Sequence, residues 1–283
     1  MNPMNIFKSM NSMKPGRGIK PRAGKWAGSL MVAWLLALAL ATRVAAMEAE
    51  FRVIGVPAVK VDGGTLPSTS RLGAVEVSTF YIGKYEVQWG EFQTVRTWAA
   101  SNGYDIGSVG AGSGSNYPVT DVSWYQAVKW CNARSEKEGK TPVYTVGGVV
   151  YRTGEQVPVV NALANGYRLP SEKEWEWAAR GGTQTHGYAY SGSNDVNAVA
   201  WYYGNSGPAV HVVGTKAANE LGTYDMSGNV WEWCFDGSGS YRVFRGGSWD
   251  SRAENCAVGV RGYNYPTISS SSRGFRLALS SVP

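Results

Sequence analysis

The 283-residue sequence contains little of what most catalytic and metal centres are built from. It has only three cysteines and two histidines, and 17% of its residues are charged. No CxxC pair, GxGxxG motif or P-loop occurs, so zinc sites of the finger type and the common nucleotide sites have no support. The histidines, His186 and His211, lie in loop-like sequence without a neighbouring acid, which argues against a Ser-His-Asp site.

Acidic residues are missing from one end of the chain, and this explains the net charge of +6. Residues 1–46 hold seven of the 27 Lys and Arg residues and no Asp or Glu, which leaves 20 basic and 21 acidic residues in the remainder. The remainder is therefore close to neutral. We expect no nucleic-acid partner, because the electrostatic basis for such binding is absent.

The basic N-terminal stretch is followed by an apolar run at residues 28–41 and by small residues just before Met47. This pattern is typical of a signal peptide, and the run is too short for a comfortable membrane span. We predict a signal peptide over residues 1–46, with an uncleaved N-terminal anchor as the alternative. The protein is then exported to the periplasm, the cell surface or the extracellular space.

Gly, Trp and Tyr are abundant, with 36, 12 and 16 residues respectively. Together with short periodic segments they predict an α+β domain with few helices, small sheets and much ordered loop. We expect an extended lead-in at residues 47–73 and one domain over residues 74–283. No linker-like break divides the domain.

Local patterns place the main elements of this domain. A strand is predicted over residues 75–85, and amphipathic helices over 89–100 and 123–138. Residues 142–160 have the pattern of a hairpin around a Gly-Gly turn. Ser171 and Glu174 form a capping-box pair that predicts the start of a third helix.

Three longer strings are more specific than these patterns. They are GYRLPSE with EWEWAARGG at 166–182, YDMSGNVWEW at 224–233, and RVFRGGSW at 242–249 with a closing GFR at 274–276. Their order and spacing closely resemble the formylglycine-generating enzyme (sulfatase-modifying factor) domain family over roughly residues 74–279. The resemblance implies a C-type-lectin-like fold with a small central antiparallel sheet and two main helices.

The resemblance also implies candidate chemistry. The oxidases of this family bind copper through two cysteines spaced C-x4-C after the GGS string, and the corresponding positions here are Ser251 and Cys256. A neutral hydroxyl is a poor ligand for Cu(I), which prefers thiolates. The sequence therefore favours a non-catalytic member. Cys256 is then expected to be buried or disulfide-bonded, and pairing with Cys234 is left open. Cys131 is expected to be a small buried apolar residue.

A calcium site of the family matches four positions of this chain. Asp225 and Glu232 offer carboxylates, and Gly228 and Val230 offer backbone carbonyls from one tight turn. Oxygen ligands of this kind suit Ca²⁺. The alternative is that Glu232 pairs with a buried arginine and that Asp225 caps a turn. If calcium binds, we expect it to be structural.

The segment from Asp250 to Ser272 is rich in the Tyr, Ser, Gly and Asn residues that binding loops use. In the related enzymes this stretch lines the peptide-binding face. We predict a protein or peptide ligand there, with Arg261, Tyr263 and Tyr265 as anchors. The alternative is an ordinary polar surface loop.

Three functions follow from the sequence. The first is an exported, non-catalytic binding or scaffold protein. The second is a copper-dependent oxidase that converts a sulfatase cysteine to formylglycine, with Cys256 as its surviving thiol. The third is a surface receptor diversified by a retroelement.

Overall fold

A computed structural model describes residues 57–281 of the chain. The predicted leader at 1–46 and the first part of the predicted lead-in lie outside the described residues. The rest of the lead-in contains β1 (Ala58–Val61) and β2 (Gly64–Thr65). Because β1 pairs with a later strand of the domain, this part of the lead-in belongs to the fold. No helix within 57–281 is long and apolar enough to cross a membrane.

The strand predicted over residues 75–85 is divided in two. β3 (Glu76–Val77) pairs with β2, whereas β4 (Phe80–Gly83) pairs with β1 and with the last strand, β12 (Ala278–Ser280). The chain thus changes sheets at residues 78–79, and a continuous strand could not serve both. β4 is buried along its whole length as the central strand of its sheet.

The three predicted helices are confirmed. α1 spans Trp89–Ala100 and buries Phe92, Val95 and Ala99. α2 spans Trp124–Lys137 and begins at a capping box that Ser123 forms with Gln126. α3 spans Glu172–Ala179, and its capping box is the expected pair of Ser171 and Glu174. A single turn, α4 (Val196–Val199), follows in the loop region.

The predicted hairpin is present and gains a third strand. β5 (Tyr144–Val146) pairs with β6 (Val149–Val150) across a two-residue turn, and Gly147 and Gly148 both have positive φ, as this turn requires. β7 (Val159–Val160) pairs with the other edge of β5. This small sheet shares no strand with the four-stranded sheet that positions the candidate site, and Tyr144 of β5 stacks on Phe235 of β8.

The largest sheet lies in the C-terminal third of the chain and has the order β10-β9-β8-β11. Its strands are β8 (Trp231–Ser238), β9 (Tyr241–Arg245), β10 (Arg261–Asn264) and β11 (Arg273–Phe275). β9 is antiparallel to both of its neighbours, β8 and β10, whereas β11 runs parallel to β8. The GGS string and a short 3₁₀ helix, Ala253–Cys256, connect β9 to β10.

This sheet separates two apolar clusters. Residues of one face, such as Trp233 and Phe275, pack in a cluster with the buried side of α2. Residues of the other face, such as Cys234 and Val243, pack in a cluster with Trp175 of α3. The alternation follows from the two-residue period of a strand. The middle of the sheet is therefore buried, and its exposed parts are the edge strand β10 and the end of the hairpin between β8 and β9. These features confirm the α+β class.

Candidate functional site

Ser251 and Cys256 lie together beside the end of β9. The turn after β9 uses positive φ at Gly246 and Gly247, and a Cβ added at Gly247 would lie 2.6 Å from Cys256 Sγ. Only glycine permits this close approach. Cys256 ends the 3₁₀ helix Ala253–Cys256, and the backbone N–H of Ser248 bonds to Ser251 Oγ at 3.2 Å. The structure thus brings both positions against the GGS string.

The Ser251 hydroxyl is held in a short network of hydroxyl groups. Its Oγ lies 2.8 Å from Ser248 Oγ, and the Ser248 hydroxyl donates to Asp250 Oδ1 at 2.5 Å. Ser251 is only 8% exposed. The hydroxyl is therefore satisfied by protein groups and offers only a neutral oxygen at this position.

Cys256 is fully buried, and burial raises the pKa of its thiol to about 12. Its Sγ contacts the carbonyl oxygen of Arg252 at 3.8 Å. Because the thiolate is the reactive form, this burial makes Cys256 less reactive at neutral pH than an exposed thiol. The expectation of a buried cysteine at this position agrees with the structure.

The other two cysteines are also buried, and all three are free thiols. The open question of a Cys234–Cys256 pairing is thus answered for this structure by two separate thiols. Cys131 lies on the inner face of α2 in the apolar core, as expected. Burial raises the pKa of Cys131 and of Cys234 above the ordinary value.

Tyr263 and Tyr265 lie on an exposed surface together with Tyr241, which the sequence analysis did not select. The ring of Tyr241 is 5.7 Å from that of Tyr263 and 4.7 Å from that of Tyr265, and the hydroxyls of Tyr241 and Tyr265 are 3.2 Å apart. Tyr263 is 65% exposed. We call these three residues the tyrosine patch. Tyr241 was missed because it reaches the patch only through the pairing of β9 with β10.

Arg261 begins β10 and is bound to α3. Its guanidinium lies 2.8 Å from a carboxylate oxygen of Glu172, and its side chain is 30% exposed. Glu172 is itself buried and also lies near the buried Arg245. Arg261 therefore positions the strand that carries the tyrosines, and a third of its side chain still faces solvent.

A group of buried carboxylates lies at the start of β8. Glu232 accepts hydrogen bonds from Arg276 and from Trp175 Nε1, with distances of 2.7–2.9 Å. Asp225 accepts one bond from the Gly214 amide, and its Oδ1 is buried without a hydrogen-bond partner. Glu86, which the sequence analysis missed, accepts from the backbone N–H of Val230.

These carboxylates carry more negative charge than the single arginine among them compensates. Burial, with a contribution from Glu232, raises the pKa of Asp225 to about 6. Burial and the charges of Asp225 and Glu232 hold the pKa of Glu86 well above its usual range. A cation placed beside Asp225 would relieve this excess of negative charge.

The comparison with known families accounts for the architecture of this site. The sequence model of the "Sulfatase-modifying factor enzyme 1-like domain" matches residues 51–281. The chain belongs to this family. The resemblance to formylglycine-generating enzymes that the three strings indicated is confirmed.

Similar proteins of this family include, by name, a chaperone, formylglycine-generating enzymes and an inactive formylglycine-generating enzyme. The chain is 36% identical over 239 residues to "Chaperone protein LppX" of Paenibacillus barcinonensis, covering 72% of this chain and 82% of the relative. Its fold is similar to that of CarF, with a TM-score of 0.73 and 31% identity over 81% of this chain and 99% of CarF. It is also similar to Treponema denticola variable protein 1, with a TM-score of 0.68 and 32% identity over 81% and 97%. These likenesses confirm the predicted C-type-lectin-like fold.

The family's two metals fit this chain differently. For copper, the chain offers one buried, protonated thiol and one neutral hydroxyl, so these residues fit the ion poorly. For calcium, Asp225 Oδ1 is free, and the carbonyl oxygens of Gly228 and Val230 accept no backbone hydrogen bond among the described residues. Glu232 is already engaged by Arg276. Calcium binding stays a prediction. Among the four predicted ligand residues, Asp225 and the carbonyls of Gly228 and Val230 are more available to an ion than Glu232.

Proposed function

We propose that this chain is an exported, non-catalytic member of its family that binds a protein ligand on the face from Asp250 to Ser272. The observation that carries the proposal is the contrast at that face. Cys256, at the position that the resemblance assigns to the second oxidase thiol, is buried and its pKa is raised, whereas the tyrosine patch is open to solvent.

Tyrosines suit such a binding role. They supply large contact areas with few rotatable bonds. Tyr241 contacts both Tyr263 and Tyr265, so these rings have less freedom to lose when a ligand docks. Arg261 holds their strand to α3 through Glu172, so the patch is fixed before binding. Similar proteins include one named as a chaperone and one named as a variable protein, which is consistent with a protein ligand.

Structural calcium belongs to this proposal as well. Asp225, Gly228 and Val230 would hold the ion. Glu232 would contribute through Oε1, which accepts one hydrogen bond, whereas Oε2 accepts two. The ion would fix the loop around residue 228 to the start of β8. It would act on stability and not on chemistry.

The oxidase alternative is tested directly. The purified protein is incubated with Cu(I), oxygen and a sulfatase peptide containing Cys-x-Pro-x-Arg, and the peptide mass is followed beside an active enzyme of the family. We expect no conversion. Aldehyde formation by this chain would overturn the proposal.

The Ser251→Cys variant is assayed in the same way, and its copper binding is measured. It restores the C-x4-C spacing without changing the tyrosine patch. A gain of copper binding by the variant would indicate that Ser251 alone silences the site. Conversion by the unmodified chain remains the result that decides against a binding role.

A further inference from the structure

Exposed aliphatic side chains are concentrated around β7 and the turn that follows it. Val157 and Val159 are more than half exposed, Val160 is 40% exposed and Leu163 is 91% exposed. We call these four residues the aliphatic patch. They present on the order of 400 Å² of apolar surface, a size at which patches on monomers are often functional. The proposed binding function leaves this surface unexplained.

Leu163 stands at the tip of a preformed turn. The turn spans residues 161–164, in which the backbone N–H of Ala164 donates to the carbonyl oxygen of Asn161 at 3.1 Å. The N–H of Leu163 donates to Asn161 Oδ1, also at 3.1 Å. Ala164 is buried in the core, and Asn165 Oδ1 accepts from a neighbouring backbone N–H. The turn that holds the leucine out in solvent therefore has little backbone freedom to lose on binding.

An apolar slot of about 280 Å³ opens beside this turn. Its apolar walls are Tyr144, Val160, Ala162, Leu169 and Phe235. Arg168 and Glu174 also line the slot, but two hydrogen bonds of 2.7 Å join them to each other, so their charges are already compensated. An aliphatic side chain could enter the slot without leaving a charge unpaired.

The projecting leucine and the slot lie side by side. Ala162 lines the slot, and Leu163 is the next residue of the same turn. Such a surface is self-complementary, because a two-fold axis between two copies places each leucine opposite the slot of the other copy. Two aliphatic patches, together with the slot walls, bury about 1,000 Å² in total, which is the lower limit for a specific interface.

The composition of this region fits a second copy of the chain better than a lipid surface. Residues 156–167 contain no Asp, Glu, Lys or Arg, so two copies meet without like-charge repulsion. The charges at the border have both signs: Glu155 is exposed, and Lys140 lies over the Tyr167 ring at 5.9 Å. Segments that lie on membranes combine apolar side chains with Trp or Phe and with Lys or Arg, and residues 156–167 contain none of these four types.

We infer that this chain forms a two-fold symmetric dimer in which Leu163 of each copy enters the apolar slot of the other. The dimer goes beyond the proposed binding function and does not depend on it. The tyrosine patch contributes no residue to the slot or to the aliphatic patch, so each dimer presents two tyrosine patches. A ligand with two matching sites would then bind more tightly than to a single chain.

Sedimentation equilibrium of the purified protein between about 1 and 100 µM tests the inference. We expect a reversible monomer–dimer equilibrium with a dissociation constant in the micromolar range, as interfaces of this size give. Leu163→Ala should raise that constant about a hundredfold, because each dimer loses two buried leucine side chains. Leu163→Asp should leave only monomer and keep the melting temperature of the parent monomer, because this side chain faces solvent in the single chain.

Val149→Asp is the matched control. Val149 is an exposed valine of β6, at the opposite edge of the same small sheet, and this variant should dimerise as the parent does. Benzoylphenylalanine at position 163 locates the contact. It should cross-link to the second copy at peptides that contain slot residues such as Tyr144 or Leu169, which mass spectrometry identifies.

The inference is overturned if the parent stays monomeric at about 100 µM, if the dimer survives Leu163→Asp, or if position 163 cross-links outside the slot. A monomer that floats with phosphatidylcholine vesicles, and no longer does so as Leu163→Asp, would assign the aliphatic patch to lipid and also overturn it. Failure of the proposed function has a different signature, because conversion of the sulfatase peptide would contradict that function whether or not the chain dimerises.

Discussion

The buried and exposed parts of the four-stranded sheet differ in how their side chains are engaged. At the start of β8, Glu232 and Arg276 are both completely buried and bind each other. At the edge strand, Tyr263 is mostly exposed. The charges of this ion pair are thus compensated inside the protein, whereas open aromatic surface is concentrated at the edge. Under the proposed function, ligand binding is expected at β10, and the ion pair at the start of β8 serves stability.

The Ser251–Cys256 corner lies between these two regions and resembles the buried one. The Ser251 hydroxyl is bonded to protein groups and the Cys256 thiol is buried, whereas the tyrosine side chains project to solvent. Four predictions sharpen this comparison.

The largest effect is expected at the buried ion pair. Glu232→Gln leaves the Arg276 guanidinium buried without its carboxylate, and breaking such a pair costs about 3–5 kcal/mol. Urea unfolding followed by tryptophan fluorescence measures the loss. Glu155→Gln, at an exposed acid, is the matched control and should leave the midpoint unchanged. A loss below about 1 kcal/mol in Glu232→Gln would contradict the assignment of this pair to stability.

The second effect concerns the reactivity of Cys256. With the pKa of its thiol near 12, the thiolate is scarce at pH 8, and alkylation by iodoacetamide should be slower than in the unfolded chain by a factor on the order of 100 or more. Mass spectrometry of the peptide containing Cys256 measures the rate. The native rate should also keep rising with pH up to pH 10 without a plateau. Rapid labelling at pH 8 would show a reactive thiol and strengthen the oxidase alternative.

A smaller effect is expected from calcium. Millimolar Ca²⁺ should raise the melting temperature of protein purified with EDTA by about 3 °C, because binding to the folded state alone stabilises it. Asp225→Asn should reduce this increase, since it removes the charge of the carboxylate with the free buried oxygen. Mg²⁺ at the same concentration is the control. An unchanged melting temperature in Ca²⁺ would argue that Arg276 takes the place of the ion.

The smallest effect is expected at the exposed edge. Tyr263→Ser should change the free energy of unfolding by no more than about 0.5 kcal/mol, because the side chain is mostly in solvent. Chemical denaturation measures this. A large destabilisation would mean that the tyrosine patch is a structural element, and the contrast between the two regions would not hold.

Much of the fold could be predicted from local sequence patterns. The site could not, because its residues are brought together by pairing between distant segments. The capping box of Ser171 and Glu174 and the Gly147-Gly148 turn depend on neighbours in the chain, so the sequence predicted them well. The break of the predicted strand at residues 78–79 depends on which sheets receive β3 and β4, which no local pattern encodes.

The same distinction explains the residues that were missed. Tyr241 joins Tyr263 and Tyr265 only through the register of β9 against β10, and Glu86 reaches the Val230 amide across 144 positions of the sequence. The family strings located Ser251 and Cys256 and favoured a buried or disulfide-bonded cysteine, but they could not show which groups bury it. That burial follows from the closure of the 3₁₀ helix over Gly247.

The most direct test of the central claim places a photo-reactive benzoylphenylalanine at Tyr263 or at Ser251 of the protein in the cells that produce it. The account predicts a light-dependent cross-link to a partner protein from position 263, and none from position 251 in the buried corner. A cross-link from position 251 with none from position 263 would contradict it and would return the function to the position of the family's chemistry.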